Sequence, residues 1–205
     1  MKRWEIIQTL IDLYDLRTYL EIGVFKGECF DKIEAEVKHS VDPEFPAIFK
    51  MTSDEFFEDN RYHKKIDDPE LTYDIIFIDG LHTAYQVYKD ICNSLKILNP
   101  GGFIVVHDCN PATKWHARPP EEYKRGEEWN GTTYLGFIQF KEQNPDISCF
   151  TVDTDYGCGI ITSLPLVKNT TWGAYMSPSF EYFERNREQL LGLISVEQFR
   201  GLGRD

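Results

Sequence analysis

The sequence predicts an α/β fold, a Rossmann-like, seven-stranded, mostly parallel sheet with helices on both faces. Asp74-Ile-Ile-Phe-Ile-Asp79-Gly80 and Phe103-Ile-Val-Val106 are short continuous apolar runs, as strands covered on both faces are. Between them Val87, Ile91, Leu95 and Leu98 share one face of a helix over 85–98, and Asn99-Pro-Gly-Gly102 reads as a turn. Strand, helix, turn, strand is a parallel βαβ unit, whose crossover is right-handed. The length, 205 residues, suits a single domain spanning 1–205.

Taken in order, Trp4, Ile7, Leu10, Ile11 and Tyr14 recur at helical spacing, so an amphipathic helix over 2–14 fills the N-terminal segment 1–16. Residues 18–24 form a strand closed by glycine, and Cys29, Phe30, Ile33 and Val37 predict a helix over 28–37. Ser40-Val-Asp-Pro43 reads as a brief second strand and residues 47–52 as a third. Only Pro43 to Pro46 separate them, fewer than a crossover helix needs, so the second βαβ unit is shortened. Ser53-Asp-Glu55 opens a helix, with a cap residue followed by acids in the first turn. Residues 109–131 are a long connection carrying Lys114, Trp115, His116, Tyr123 and Trp129, the character of a lid or binding loop. Residues 132–141 read as a helix, with strands over 147–152 and 159–162 completing seven. In the tail, 164–205, Phe180, Phe183, Leu190, Leu191 and Ile194 predict closing helices.

Acidic side chains number 34 against 22 basic ones, a net charge of -12, which repels phosphate backbones and anionic lipid headgroups. Nucleic acid and membranes are therefore poor partners, and no stretch approaches the ~18 apolar residues of a membrane span. A small-molecule acceptor remains, with the aromatic-rich tail serving as core or as the surface of a homodimer. The five cysteines are odd in number and lack a C-x-x-C pair, which excludes a disulfide framework and a structural zinc site and suits a cytoplasmic protein.

In an open α/β sheet, ligands bind outside the carboxyl ends of the strands. Glu21 and Gly23 end the first strand, Asp42 the second, Asp79 the next long one, and His107 and Asp108 the one after. Asp42 follows Glu21 at about the ~20-residue offset of a carboxylate that accepts ribose hydroxyls. The loop between is Gly23-Val24-Phe25-Lys26-Gly27-Glu28. Phe25 stands where a dinucleotide loop needs its second glycine, and Glu28 adds negative charge where phosphates would rest. A cofactor with ribose and adenine, no phosphate and a cationic sulfonium suits this loop, and S-adenosylmethionine is such a molecule.

Four segments in order, Tyr19-Leu-Glu-Ile-Gly-Val-Phe-Lys-Gly27, Thr52-Ser-Asp-Glu-Phe-Phe57, Phe77-Ile-Asp-Gly-Leu-His-Thr83 and Asn99-Pro-Gly-Gly-Phe-Ile-Val-Val-His-Asp108, resemble the class I S-adenosylmethionine-dependent methyltransferases. The branch is a small bacterial one, akin to metal-dependent O-methyltransferases of sugars and antibiotics. The resemblance covers roughly residues 1–165, and Asn186 to Ser195 fit it too. It implies that Glu21 and Gly23 face the methionine part of the cofactor, Asp42 the ribose, and Ser53 with Asp54 the adenine, and that Val24, Phe25 and Gly27 of the loop bind the cofactor too. It also implies that Asp79, beside the cofactor, and Asp108 hold a metal. Relatives carry a further acidic or amide residue beside the second ligand, where this sequence has His107.

The residues themselves point the same way. Carboxylates on neighbouring strand tips, ~5 Å apart, share a cation, share a proton or repel. Mg²⁺ or Ca²⁺ on Asp79 and Asp108 would hold an acceptor hydroxyl and lower its pKa; without a metal, His82 or His107 takes the proton. Plainer readings stand beside these: strand-tip carboxylates that cap the next helix, an Asp42-Pro43 turn, structural histidines, and lid aromatics that only pack the loop. A nicotinamide-dependent oxidoreductase with a degenerate loop and a non-catalytic cofactor-binding protein are the competing functions.

Overall fold

The computed structural model describes residues 1–58, 72–170 and 178–202. Alternate residues of its central strands feed two separate cores, because successive side chains of a strand point to opposite faces. The strands are β1 (Thr18–Ile22), β2 (Val37–Val41), β3 (Tyr73–Ile78), β4 (Leu98–Val106), β5 (Ser148–Val152), β6 (Cys158–Thr162) and β7 (Leu193–Ile194). The helices are α1 (Arg3–Tyr14), α2 (Ser53–Glu58), α3 (Ala84–Ser94), α4 (Thr133–Gln143), α5 (Phe180–Leu191) and α6 (Val196–Gly201). Leu20, Ile76, Ile78 and Ile104 pack against Val87 and Ile91 of α3, Phe137 of α4 and Leu191 of α5. On the other face Tyr19, Ile75, Phe77 and Phe103 meet Ile6 and Leu10 of α1 and Phe199 of α6. Each such fully buried side chain contributes roughly 1.5–3 kcal/mol relative to exposure.

The sheet runs β2-β1-β3-β4-β6-β5-β7. β6 is antiparallel to both neighbours, and the other pairings are parallel. The chain goes from β1 outward to β2 and then crosses back to β3 on the other side of β1. The switch point therefore lies between the carboxyl ends of β1 and β3, where such sheets bind ligands.

The expected fold class holds, and four element assignments need correction. Residues 28–37 are not a helix: a single 3-10 turn, Phe30–Lys32, is followed by β2, which starts at Val37 opposite Thr18. Pairing with β1 outweighs the helical period, and Lys38 Nζ ties the turn down through the carbonyls of Phe30 (2.5 Å) and Ile33 (2.8 Å). Residues 47–52 are not a strand either. Asp42 draws the amides of Glu44 and Phe45 into a turn, leaving one bridge between Val41 and Phe49. The reduced crossover is thus the one between β1 and β2, not the second. The seventh strand lies instead in the tail, where Gly192, at φ 60, ends α5 and lets Leu193–Ile194 pair with β5.

Asn99 to Gly102 form an irregularity inside β4, not a turn before it, since Tyr73 pairs with Leu98 and Ile75 with Phe103. All five cysteines are free. Among the described residues no helix is long and apolar enough to cross a membrane.

Candidate active site

A cavity of about 730 Å³ opens at the switch point, within the ~300–1,000 Å³ typical of small-molecule sites. Of the residues singled out in the sequence, Gly23, Phe25, Asp42, Ser53, Asp54, Asp79, His82, His107 and Asp108 line it. Glu21, Val24 and Gly27 lie outside that lining. Glu21 points into the α1 face of the sheet, 1% exposed, and accepts a hydrogen bond from the Tyr19 hydroxyl. Val24 offers its backbone N–H to Asp42, and Gly27, at φ +79, shapes the loop against Asp31.

At one side of the cavity Asp42 organises the loop after β1. Its Oδ2 accepts from the amides of Val24 (2.9 Å) and Phe25 (3.2 Å), its Oδ1 from those of Glu44 (2.8 Å) and Phe45 (2.7 Å). Burial raises its pKa and these four amides outweigh that, so the carboxyl titrates below its usual range. Nearby, Gln86 of α3 donates to Ser53 Oγ (3.2 Å), Asp54 Oδ1 (2.9 Å) and the buried Asp90 (3.0 Å), which fixes the start of α2 against α3.

At the strand tips of β3 and β4 lies a charged group. Asp79, His82 and Asp108 each bring a ligand atom within 4.8 Å of the others. Thr83 caps α3 by accepting from the Gln86 amide, which leaves His82 just outside the helix and facing the tips. His82 Nε2 is 3.4 Å from Asp79, and its Nδ1 is 3.2 Å from Asp108 and 3.1 Å from the Trp129 carbonyl. That carbonyl only accepts, so the neutral ring carries its proton on Nδ1 and its lone pair on Nε2. His107, 2% exposed, lies 3.1 Å from Asp108 and 3.3 Å from Asp79, contacts that lack hydrogen-bond geometry. Burial opposes its charge, yet Asp108 and Asp79 hold its pKa well above the ordinary histidine value. Burial likewise opposes ionisation of Asp79, and His107, His82 and Arg3 outweigh it, so Asp79 titrates well below the usual carboxylate range.

Several site residues carried no signal in the sequence reading. Arg3 of α1 reaches Asp79 at 2.6 Å, and Asp155, in the turn between β5 and β6, pairs with Arg3 and Lys2. Asn130 donates to Asp108 Oδ1 at 2.5 Å, and its own Oδ1 is buried without a hydrogen-bond partner among the described residues. Asp108, Asp155 and Tyr156 all have positive φ, 61, 50 and 63 respectively. Strained backbone of this kind gathers at functional sites.

The loop 109–131 is a built wall. Arg118, 6% exposed, donates to the carbonyls of Trp115 (2.5 Å), Glu128 (3.1 Å) and Glu122 (3.3 Å), and Trp129 Nε1 donates to the Arg118 carbonyl (2.7 Å). This sets Trp129 flat between Tyr123, at 4.5 Å, and His82, at 5.3 Å. Tyr123, Glu128, Trp129 and Asn130 thereby face the cavity.

A protein family described as a methyltransferase domain matches residues 26–109, from the loop after β1 through the tip of β4. Over those residues the chain is similar to that family. The fold agrees. An O-methyltransferase from Bacillus cereus, solved in complex with SAH, superposes with a TM-score of 0.50 at 13% identity, covering 78% of this chain and 80% of that one. TomG from Streptomyces achromogenes, an O-methyltransferase involved in tomaymycin synthesis and solved with SAM, gives a TM-score of 0.50 at 14% identity, covering 78% of each chain. No curated protein matches the sequence.

Behind the cavity Glu21 has a consequence for stability. Burial raises its pKa to about 8, although the Tyr19 hydrogen bond pulls the other way. An acid raised in the folded state is protonated there while the unfolded chain ionises, so stability falls as pH rises from about 4.5 and the loss is complete above about 8. Glu21→Gln flattens this decline and gains on the order of 2–3 kcal/mol at pH 7. Urea denaturation of both proteins from pH 5 to 8 checks it; parallel curves contradict a buried, neutral Glu21.

Proposed function

We propose that the chain is an S-adenosylmethionine-dependent O-methyltransferase acting on a small hydroxylated acceptor such as a sugar or glycoside. The observation that carries the reading is the cavity at the β1–β3 switch point, with acidic loop residues on one side and the Asp79–His82–Asp108 group under an aromatic wall on the other. Its chemistry fits the cofactor. Gly23 lies so close to the β3 tip that a Cβ there would meet Asp79 O at 2.2 Å. Phe25, half exposed, occupies the place a pyrophosphate needs. Ser53 and Asp54 offer acceptors for an exocyclic amine, and Asp42 and Glu44 face the same space.

When bound, S-adenosylmethionine supplies a methyl group on a sulfonium, and the chain's task is to align an oxygen with it. Asp42 holds the loop on which the cofactor rests. Tyr123 and Tyr156 offer flat apolar faces to a sugar ring, and Trp129, stacked on Tyr123 and His82, helps to keep water from it. His82 Nε2 takes the proton of the acceptor hydroxyl as the O–C bond forms and the S–C bond breaks.

Two carboxylates and an imidazole also suit a divalent cation. The orphaned Oδ1 of Asn130 beside Asp108 is a further oxygen donor at the same place. With such an ion bound, Asp79, His82 and Asp108 would hold it and it would polarise a bound hydroxyl, His82 Nε2 then serving as ligand in place of base.

Titration calorimetry with S-adenosylhomocysteine and with NAD tests the cofactor. Micromolar binding of the first and none of the second is expected; the reverse overturns the reading. Transfer of labelled methyl to a panel of sugars, glycosides, catechols and amines, with and without EDTA, then tests acceptor and metal together. Label appearing only on nitrogen acceptors removes the O-methyl assignment.

A further inference from the structure

We infer that Arg3 is the cation that receives the α-carboxylate of the methionyl part of S-adenosylmethionine, an inference that rests on the reading of the cavity as that cofactor's site. S-adenosylmethionine carries a carboxylate at the end remote from adenine, and this cavity is hostile to anions. Asp42, Glu44, Asp54, Asp79, Asp108 and Glu128 all line it, and among the described lining residues Arg3 is the only lysine or arginine. A carboxylate entering such a space needs a cation that is already in place.

Arg3 meets that need with donors to spare. Its Nη1 donates to Asp79 Oδ2 at 2.6 Å and its Nε to Asp155 Oδ2 at 3.1 Å, while no described residue accepts from Nη2. A guanidinium has five N–H donors, so most remain for a ligand. The side chain keeps 31% of its surface exposed, and it faces the cavity. It is also held rigidly. Asp155 accepts from the Arg3 backbone N–H at 3.0 Å as well as from Lys2 Nζ at 3.0 Å, and Thr154 Oγ1 donates to the Met1 carbonyl at 2.7 Å. The first turn of α1 is thus fastened to the β5–β6 turn beside the cavity that Arg3 and Tyr156 line. The order that binding requires is present beforehand. Arg3 lies with Gly23 at the tip of β3, since both approach Asp79, whereas Ser53, Asp54 and Gln86 form a separate group suited to adenine. The carboxylate end and the adenine end are thereby distinguished.

Calorimetry with two ligands tests this: S-adenosylhomocysteine, which has the carboxylate, and 5′-methylthioadenosine, which lacks the whole amino-acid group. Arg3→Gln is expected to weaken S-adenosylhomocysteine by ~10- to 100-fold and methylthioadenosine by less than ~2-fold, with Arg3→Lys recovering part of the loss. A loss shared equally by both ligands, or no loss for either, overturns the inference while leaving the cofactor reading standing. Should Arg3→Gln fail to fold, the wild-type protein answers through the carboxamide of S-adenosylhomocysteine. Binding ~10-fold weaker than the acid supports Arg3, and equal binding overturns it. If the wild-type protein binds neither adenosyl ligand, the cofactor reading itself falls, and this inference with it.

Discussion

Asp79→Asn lowers kcat/KM for methyl transfer by ~10³-fold or more. The carboxylate stands where three functions meet. Its Oδ2 holds Arg3 at 2.6 Å, and its Oδ1 faces His82 at 3.4 Å and His107 at 3.3 Å. Asparagine keeps the volume but removes the negative charge, so the two imidazoles lose part of what keeps them basic. Both histidine pKa values move down, the opposite of the shift that Asp79 now imposes after burial is overcome. A proton acceptor with a lower pKa, no longer fixed in orientation, acts against turnover, and so does the loss of one ligand from the proposed cation site. Removing one partner of a buried ionic group also costs roughly 3 kcal/mol of stability, so a melting curve must accompany the kinetics. A folded Asp79→Asn variant with activity within ~10-fold of wild type would take Asp79 out of the mechanism.

Gly23→Ala destabilises the protein by at least about 3 kcal/mol and removes S-adenosylhomocysteine binding. Gly23 has φ +86, a conformation that costs an L-residue energy before any contact is considered. The contacts are worse. An ideal Cβ would lie 2.2 Å from Asp79 O, 2.5 Å from Asp79 C and 2.6 Å from Gly80 Cα. All three are backbone atoms, so no side chain can swing aside, and the β3 tip carrying Asp79 must move. Gly27 makes a useful control. Its φ is +79 as well, but its Cβ would meet only the Asp31 side chain, at 2.8 Å. Gly27→Ala is therefore milder, and urea denaturation of the pair checks the order. Equal losses would mean that positive φ alone, and not the approach to β3, accounts for the glycine.

Where the sequence reading succeeded, the signal was local. Ile75 to Ile78 and Phe103 to Val106 read as doubly covered strands because each carries its own burial pattern within a few residues. The tips of such strands follow at once, which is why Asp42, Asp79, His82, His107 and Asp108 could be expected near one another, and they line one cavity. Where it failed, a distant partner overrode a local period. Phe30 and Ile33 fit a helix, but Val37 to Val41 extend because β1 offers a ladder for them. Leu193 and Ile194 look like the end of a helix and pair with β5 instead.

The same distinction separates the two halves of the site. Glycine spacing, strand-tip acids and the shortfall of positive charge are properties of short stretches or of composition, and they underlie the expected fold class and the proposed kind of cofactor. Arg3 meets Asp79 across 76 residues and Asp155 across 152, and Asn130 meets Asp108 across 22. No periodicity encodes such meetings. They arise because α1 packs on one face of the sheet, and because Arg118 folds the long loop over the strand tips, bringing charges together whose energies depend on separation and burial.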